Sequence, residues 1–269
     1  MSFSIAGKTA IVTGAASGVG LAIARHFLDR DANVMLVDSD EDALDAEIGG
    51  RSEDDSGAAR AFTGDLREKL TIANLLSATI DAFDRIDILV NGARELRLSD
   101  PLDPSDDSVR ALLDLNLMTS LRLSQHVARR MIRQGEEAGG EGPAGSIINL
   151  SSIAARRTQP DLLAYSVSSA ALDQATRGLA VALAPHRIRV NGVAFGSVMS
   201  ASLKGAIKKH SGIRTEIIEN TPLNRIAGAS EVAETVQFLA ADGSGFMTGQ
   251  ILTIDGGRTL VDVVDSPAH

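Results

Sequence analysis

The sequence has no cysteine and a single tyrosine, Tyr165, among its 269 residues. Without cysteine there is no disulfide, no thiolate metal site and no thiol nucleophile. Positive charge is also scarce: 26 Lys and Arg against 35 Asp and Glu give a formal net charge of −9. That balance argues against a nucleic-acid or anionic-membrane partner, since each recruits basic patches. Two short basic stretches, HRIRVN and IKKH, are too small to reverse it. No apolar run approaches the ~18 residues of a membrane span. The N-terminus, MSFSIAGKTA, lacks the basic and apolar regions of a signal peptide. A soluble, cytoplasmic protein is the expectation. The histidines, His26, His126, His186, His210 and His269, lie far apart without metal-ligand spacing, so no metal site is expected.

What is present is a rhythm. Seven short apolar runs, at 8–13, 33–38, 60–65, 86–91, 146–151, 187–193 and 250–255, are partly β-branched and bounded by Gly, Asp, Asn or Ser. Between them, 18–29, 67–83, 106–134, 161–184 and 230–241 carry apolar residues at helical spacing. This alternation predicts one α/β domain over residues 1–269, a doubly wound, Rossmann-type parallel sheet of seven strands with helices on both faces. Residues 49–57 and 135–145 are acidic, glycine-rich and read as surface loops. The weakly patterned stretch at about 197–222 follows a late strand. It is expected over the carboxyl ends of the strands, where ligands bind in open α/β sheets.

The stretch TGAASGVG, residues 13–20, follows the first strand and opens the first helix. Gly14, Gly18 and Gly20 permit a tight turn and a close backbone approach, leaving the helix N-terminus to face a pyrophosphate. Asp38 ends the second strand, 18 residues after Gly20. A carboxylate there accepts hydrogen bonds from adenosine ribose hydroxyls and repels a 2′-phosphate, which points to NAD over NADP. Alternatively, Asp38 caps the helix that begins near Glu41.

These motifs together resemble the short-chain dehydrogenase/reductase family over nearly the whole chain. TGAASGVG matches its cofactor turn, and GDL at 64–66 is similar to its adenine-contacting turn. LNL around Asn116, GSIINLSS at 145–152, RIRVNGVAFG at 187–196 and TGQILTIDGG at 248–257 resemble further family segments. The resemblance implies cofactor contacts at Gly14, Ser17, Gly18, Val19, Gly20, Asp38, Asp65, Leu66, Asn91, Ala93, Gly196 and Val198. It also implies a catalytic tetrad of Asn, Ser, Tyr and Lys. Asn116 fits the first slot, where it holds a relay water or serves structure alone. Ser152, thirteen residues before Tyr165, would bind the substrate oxygen. Tyr165 would be the general acid in carbonyl reduction and the base in alcohol oxidation.

The fourth slot, one helical turn after the tyrosine, holds Ser169 where the family has lysine. A nearby ammonium favours tyrosinate; a tyrosine without such help is only about a thousandth ionised at neutral pH. Oxidation, which needs the ionised base, is expected to suffer more than reduction. The turn after the fourth strand reads NGAR, with Arg94 where the family usually has a small residue beside the nicotinamide pocket. Phe195-Gly196 replaces a Pro-Gly pair. Arg94, Arg156 or Arg157 either supplies a substitute charge near Tyr165 or is a solvated loop residue. The expected function is an NAD(H)-dependent oxidoreductase acting on a small carbonyl or secondary alcohol, with an atypical active site. The alternative is an NAD-binding, catalytically impaired relative with a structural, sensing or partner-subunit role. The resemblance also implies a homo-oligomer, a homotetramer or dimer.

Overall fold

The computed structural model describes residues 2–50, 57–210 and 212–262. Part of the expected 49–57 loop, residues 51–56, lies outside the described residues. The strands are β1 (Thr9–Thr13), β2 (Asn33–Asp38), β3 (Ala59–Thr63), β4 (Ile88–Asn91), β5 (Gly145–Ser152), β6 (Ile188–Phe195) and β7 (Ile251–Ile254). The helices are α1 (Gly18–Leu28), α2 (Glu41–Gly49), α3 (Lys69–Phe83), α4 (Ser108–Leu112), α5 (Thr119–Glu137), α6 (Leu163–Leu183), α7 (Ala201–Lys209), α8 (Gly212–Glu219) and α9 (Ala229–Ala240).

All seven strands pair in parallel, in the order β3-β2-β1-β4-β5-β6-β7. The strand runs are apolar at consecutive positions because both faces are covered. Ala10 and Val12 of β1 face one cluster with Ile23 and Phe27 of α1 and Val232 and Val236 of α9. Ile11 faces the other, with Leu75 of α3 and Leu123, Val127 and Met131 of α5. Each such large side chain taken from water stabilises the fold by about 1.5–3 kcal/mol. The chain winds outward from β1 to β2 and β3, then returns to place β4 on the other side of β1. That reversal opens a crevice above the carboxyl ends of β1 and β4.

Boundaries differ from the sequence expectation where side chains compete with backbone. The stretch 106–134 is not one helix: α4 passes into a π-helical turn over Leu113–Met118 before α5 begins. Asn116 sits on that turn, while the hydroxyls of Thr119 and Ser120 donate to the carbonyls of Leu115 and Asn116. α5 runs to Glu137, into the expected 135–145 loop, and β3 stops at Thr63, leaving Gly64 and Asp65 in the turn that follows. β6 extends to Phe195, two residues beyond the expected 193. The stretch 197–222 contains α7 and α8, which its weak periodicity did not reveal.

A buried polar network locks the carboxyl half of the sheet to its helices. The Asn91 amide nitrogen on β4 donates to Ser124 Oγ on α5 at 2.9 Å and to Asn149 Oδ1 on β5 at 2.8 Å. Asn149 in turn donates to Thr176 Oγ1 on α6 at 2.8 Å. Removing one member strands its partners away from water, at about 1–3 kcal/mol for each orphaned group. Asn149→Ala is expected to lower stability by about 2–4 kcal/mol in urea unfolding; a change under about 0.5 kcal/mol would mean the network contributes nothing net.

Candidate active site

The crevice floor is built where two turns meet. Gly14, after β1, has φ +70°, and a Cβ there would lie 2.7 Å from the carbonyl oxygen of Gly92. A Cβ on Gly92 would in turn lie 2.5 Å from the carbonyl oxygen of Thr13. Thr13 Oγ1 accepts the N–H groups of Gly92 at 2.9 Å and Ala93 at 3.1 Å, which fixes the β4 turn against the β1 turn. α1 then starts at Gly18, with Ser17 extended at its N-cap and making no side-chain cap. Its first amides are left for a ligand, in the manner of a helix N-terminus that binds phosphate.

Asp38 Oδ2 accepts the N–H of Ala16 at 3.0 Å, and Oδ1 accepts those of Ser39 at 2.7 Å and Asp40 at 3.3 Å. The α2 cap is Asp40, whose side chain accepts from the Ala43 N–H at 3.1 Å. Asp38 is therefore not the helix cap; its carboxylate is oriented by backbone amides at the edge of the cleft.

That cleft measures about 1620 Å³. Gly14, Ser17, Gly18, Val19, Gly20, Asp38, Asp65, Leu66, Ala93, Ser152, Tyr165, Gly196 and Val198 all line it. Leu203, Ala206 and Glu216, from the two helices of the 197–222 stretch, line it as well. Asn91, Asn116 and Ser169 do not. They line a second chamber of about 10 Å³, with room for about one water, which Tyr165, Ala93 and Arg94 also border. Tyr165 and Arg94 thus belong to both spaces.

Asn116 spends its side chain on its neighbours: Oδ1 accepts from Glu95 N–H at 2.9 Å, and Nδ2 donates to Glu95 O at 2.9 Å and Ser168 Oγ at 3.2 Å. Ser152 ends β5, and its Oγ accepts from the Ala154 N–H at 3.1 Å. Ser169 is buried on the face of α6 that holds Tyr165, and its carbonyl accepts from Ser151 Oγ at 3.5 Å. Of the three arginines, Arg156 reaches Thr253 Oγ1 at 3.4 Å, and Arg157 donates to the Thr259 and Val261 carbonyls. Arg94 crosses the strand ends instead: its guanidinium donates to Ser151 O at 3.2 Å and lies 4.2 Å above the Phe195 ring centre. Arg94 and Phe195, from the ends of different strands, are therefore in contact.

Sequence reasoning missed Thr13, Gly92, Arg67 and Arg258. Arg67 lines the cleft, with its guanidinium 2.6 Å from the Asp65 carboxylate. That pairing holds the Asp65 carboxyl below its ordinary value. Arg258 also lines the cleft and donates to Ser197 Oγ at 3.1 Å. The signal for Thr13 and Gly92 was their adjacency to the glycine turn and to Asn91; for the two arginines there was none.

Comparison with known proteins agrees with this geometry. Residues 14–259 match a family model described as enoyl-(acyl carrier protein) reductase. The oxidoreductase UcpA of Salmonella typhimurium is 34% identical over 268 residues, covering 97% of each chain. The 7alpha-hydroxysteroid dehydrogenase of Escherichia coli is 32% identical over 251 residues, 93% of this chain and 94% of that one. A solved 7 alpha-hydroxysteroid dehydrogenase complexed with NADH and 7-oxo glycochenodeoxycholic acid superposes with a TM-score of 0.86 at 30% identity, over 95% of each chain. A gluconate 5-dehydrogenase from Burkholderia cenocepacia, in complex with NADP and tartrate, gives 0.85 at 29% identity, over 97% of this chain and 98% of that one.

Behind the site, Asp173 is buried on α6, and its Oδ1 has no hydrogen-bond partner among the described residues. Burial pushes its carboxyl above the ordinary value of 3.8, against the opposing influence of the neighbouring Ser151 hydroxyl and the charges of Arg177 and Arg156. Between the unfolded value and the raised one, the folded chain binds more protons than the unfolded chain, so this group makes stability fall as pH rises. Asp173→Asn is expected to remove that fall, matching the parent at about pH 4 and exceeding its stability at neutral pH. Urea midpoints that differ by the same amount at every pH would contradict the assignment.

Proposed function

Because the chain belongs to the short-chain dehydrogenase/reductase family, we propose that it is an NAD(H)-dependent oxidoreductase interconverting a small carbonyl compound and its secondary alcohol. The observation that carries this reading is one continuous cleft running from Asp38, over the glycine turn, to Ser152 and Tyr165. The residues fit a dinucleotide: the turn is bare of side chains at Gly14, Gly18 and Gly20, α1 points its N-terminus into the cleft, and Asp38 is oriented for ribose hydroxyls. The related solved structures hold NADH in one case and NADP in another. Preference for NAD rests on Asp38, whose charge would oppose a 2′-phosphate, and on Arg67, whose charge is taken up by Asp65. The names of the relatives, oxidoreductases and dehydrogenases, favour an enzyme over a structural role.

When bound, the cofactor supplies the hydride that reaches the carbonyl carbon in reduction and accepts it in oxidation. The chain's own residues do the rest. Ser152 donates a hydrogen bond to the substrate oxygen and holds it beside Tyr165. The Tyr165 hydroxyl gives its proton to that oxygen as the carbonyl becomes an alcohol, and takes it back in the reverse direction. The small chamber among Asn116, Tyr165 and Ser169 has room for a water that returns the proton from solvent. Ser169 contributes a hydroxyl there but no charge. Asn91 acts by tying the end of β4 to α5 and β5 below the cleft. On the outside of α6, Leu163, Val167 and Val181 are exposed along one face, which supports a homo-oligomer built on that helix.

Turnover with NADH on a panel of carbonyl compounds tests the reading. Tyr165→Phe is expected to reduce the rate by about 10²-fold or more, the scale of a lost general acid. Ser169→Lys is expected to raise alcohol oxidation at neutral pH. Activity unaffected by Tyr165→Phe would remove this mechanism.

A further inference from the structure

We infer that Arg94 makes the cleft select the reduced, uncharged nicotinamide over the oxidised, cationic one, and so equips the protein for carbonyl reduction. The inference rests on the dinucleotide reading above. If Asp38 and the glycine turn take the adenosine and pyrophosphate, the remaining half of the molecule extends past the switch point, over the carboxyl ends of β4, β5 and β6. Arg94 lies across those ends. It is three residues beyond the last residue of β4, donates to Ser151 O on β5 at 3.2 Å, and stacks 4.2 Å from the ring centre of Phe195 on β6.

Its charge is delivered to the cleft without an anion beside it. Among the described residues no carboxylate oxygen lies within 4.0 Å of the guanidinium; the neighbouring Glu95 turns to Arg97 instead. The side chain is exposed and borders the same cleft as Ser152 and Tyr165. The contacts that hold it, a neutral carbonyl and an aromatic face, fix the position of the cation without cancelling it.

An oxidised nicotinamide carries a positive charge that a reduced one lacks. A fixed guanidinium beside the ring would therefore penalise one redox state alone, and a difference equivalent to about one decade in affinity is a modest demand on such a pair. The overall equilibrium of the reaction is unaffected. What changes is which cofactor form is captured at low concentration and which leaves quickly. A chain that holds the reduced form and releases the oxidised form turns over well as a reductase. As a dehydrogenase it needs high concentrations of the oxidised cofactor.

Calorimetric titration of the whole chain with NADH and with NAD⁺, at low ionic strength, tests this without recourse to turnover. Arg94→Gln keeps much of the bulk and removes the charge; Arg94→Lys keeps the charge. The whole chain and Arg94→Lys are expected to bind NADH at least about tenfold tighter than NAD⁺. Arg94→Gln is expected to shrink that ratio by about tenfold, chiefly by tightening NAD⁺. A ratio unchanged in Arg94→Gln, with both forms bound, overturns the inference. Arg94→Gly separates size from charge: if it binds both forms while the parent binds neither, the guanidinium excludes the ring regardless of redox state, which also overturns it. Binding of neither form by any of these proteins overturns the dinucleotide reading beneath it.

Discussion

Two backbone turns, one after β1 and one after β4, approach so closely that neither tolerates a side chain where they meet. Gly14 lies against the backbone of Gly92 and Gly92 against that of Thr13, whose hydroxyl accepts the amides of Gly92 and Ala93. The contact is possible because β4 returns to the free edge of β1, so that the strand order reverses there. From it follow the bare floor of the cleft, the direction of α1 and the launch point of Arg94. A residue larger than glycine on either side would separate the turns and open the crevice that the site occupies.

Behind this floor the molecule is held by polar groups as well as by apolar packing. Asn91, Ser124, Asn149 and Thr176 pin β4 and β5 to α5 and α6. Asn116 ties the π-turn to the backbone of Glu95, next to Arg94. The strand ends that carry Ser152, Phe195 and the β4 turn are therefore rigid supports. Only the wall contributed by α7 and α8 comes from a segment whose own apolar pattern is weak.

The fold was legible because buried parallel strands announce themselves as short apolar runs between turn residues, and all seven runs fell on strands. The glycine turn and Asp38 were legible because their chemistry is local: a tight turn, a helix start and a carboxylate at a strand end. Thr13 and Gly92 were not, since their role exists only once β1 and β4 are neighbours, 79 residues apart in sequence. The helix expected over 106–134 missed its π-turn because periodicity registers apolar spacing and not the side-chain bonds of Asn116, Thr119 and Ser120. Ser169 and Arg94 stood out as unexpected residue types at their positions. Where the three arginines point was a question of direction, and spacing carries no direction: Arg156 and Arg157 hydrogen-bond toward the C-terminal segment, while Arg94 stacks on Phe195.

The account stands on the cleft being a dinucleotide site whose cofactor is chosen by Asp38. Calorimetric titration of the purified chain with NADH, with NADPH run beside it, addresses that claim directly. It predicts micromolar binding of NADH and binding of NADPH at least about tenfold weaker. Equal affinity for the two would contradict the role given to Asp38, and binding of neither would contradict the site itself.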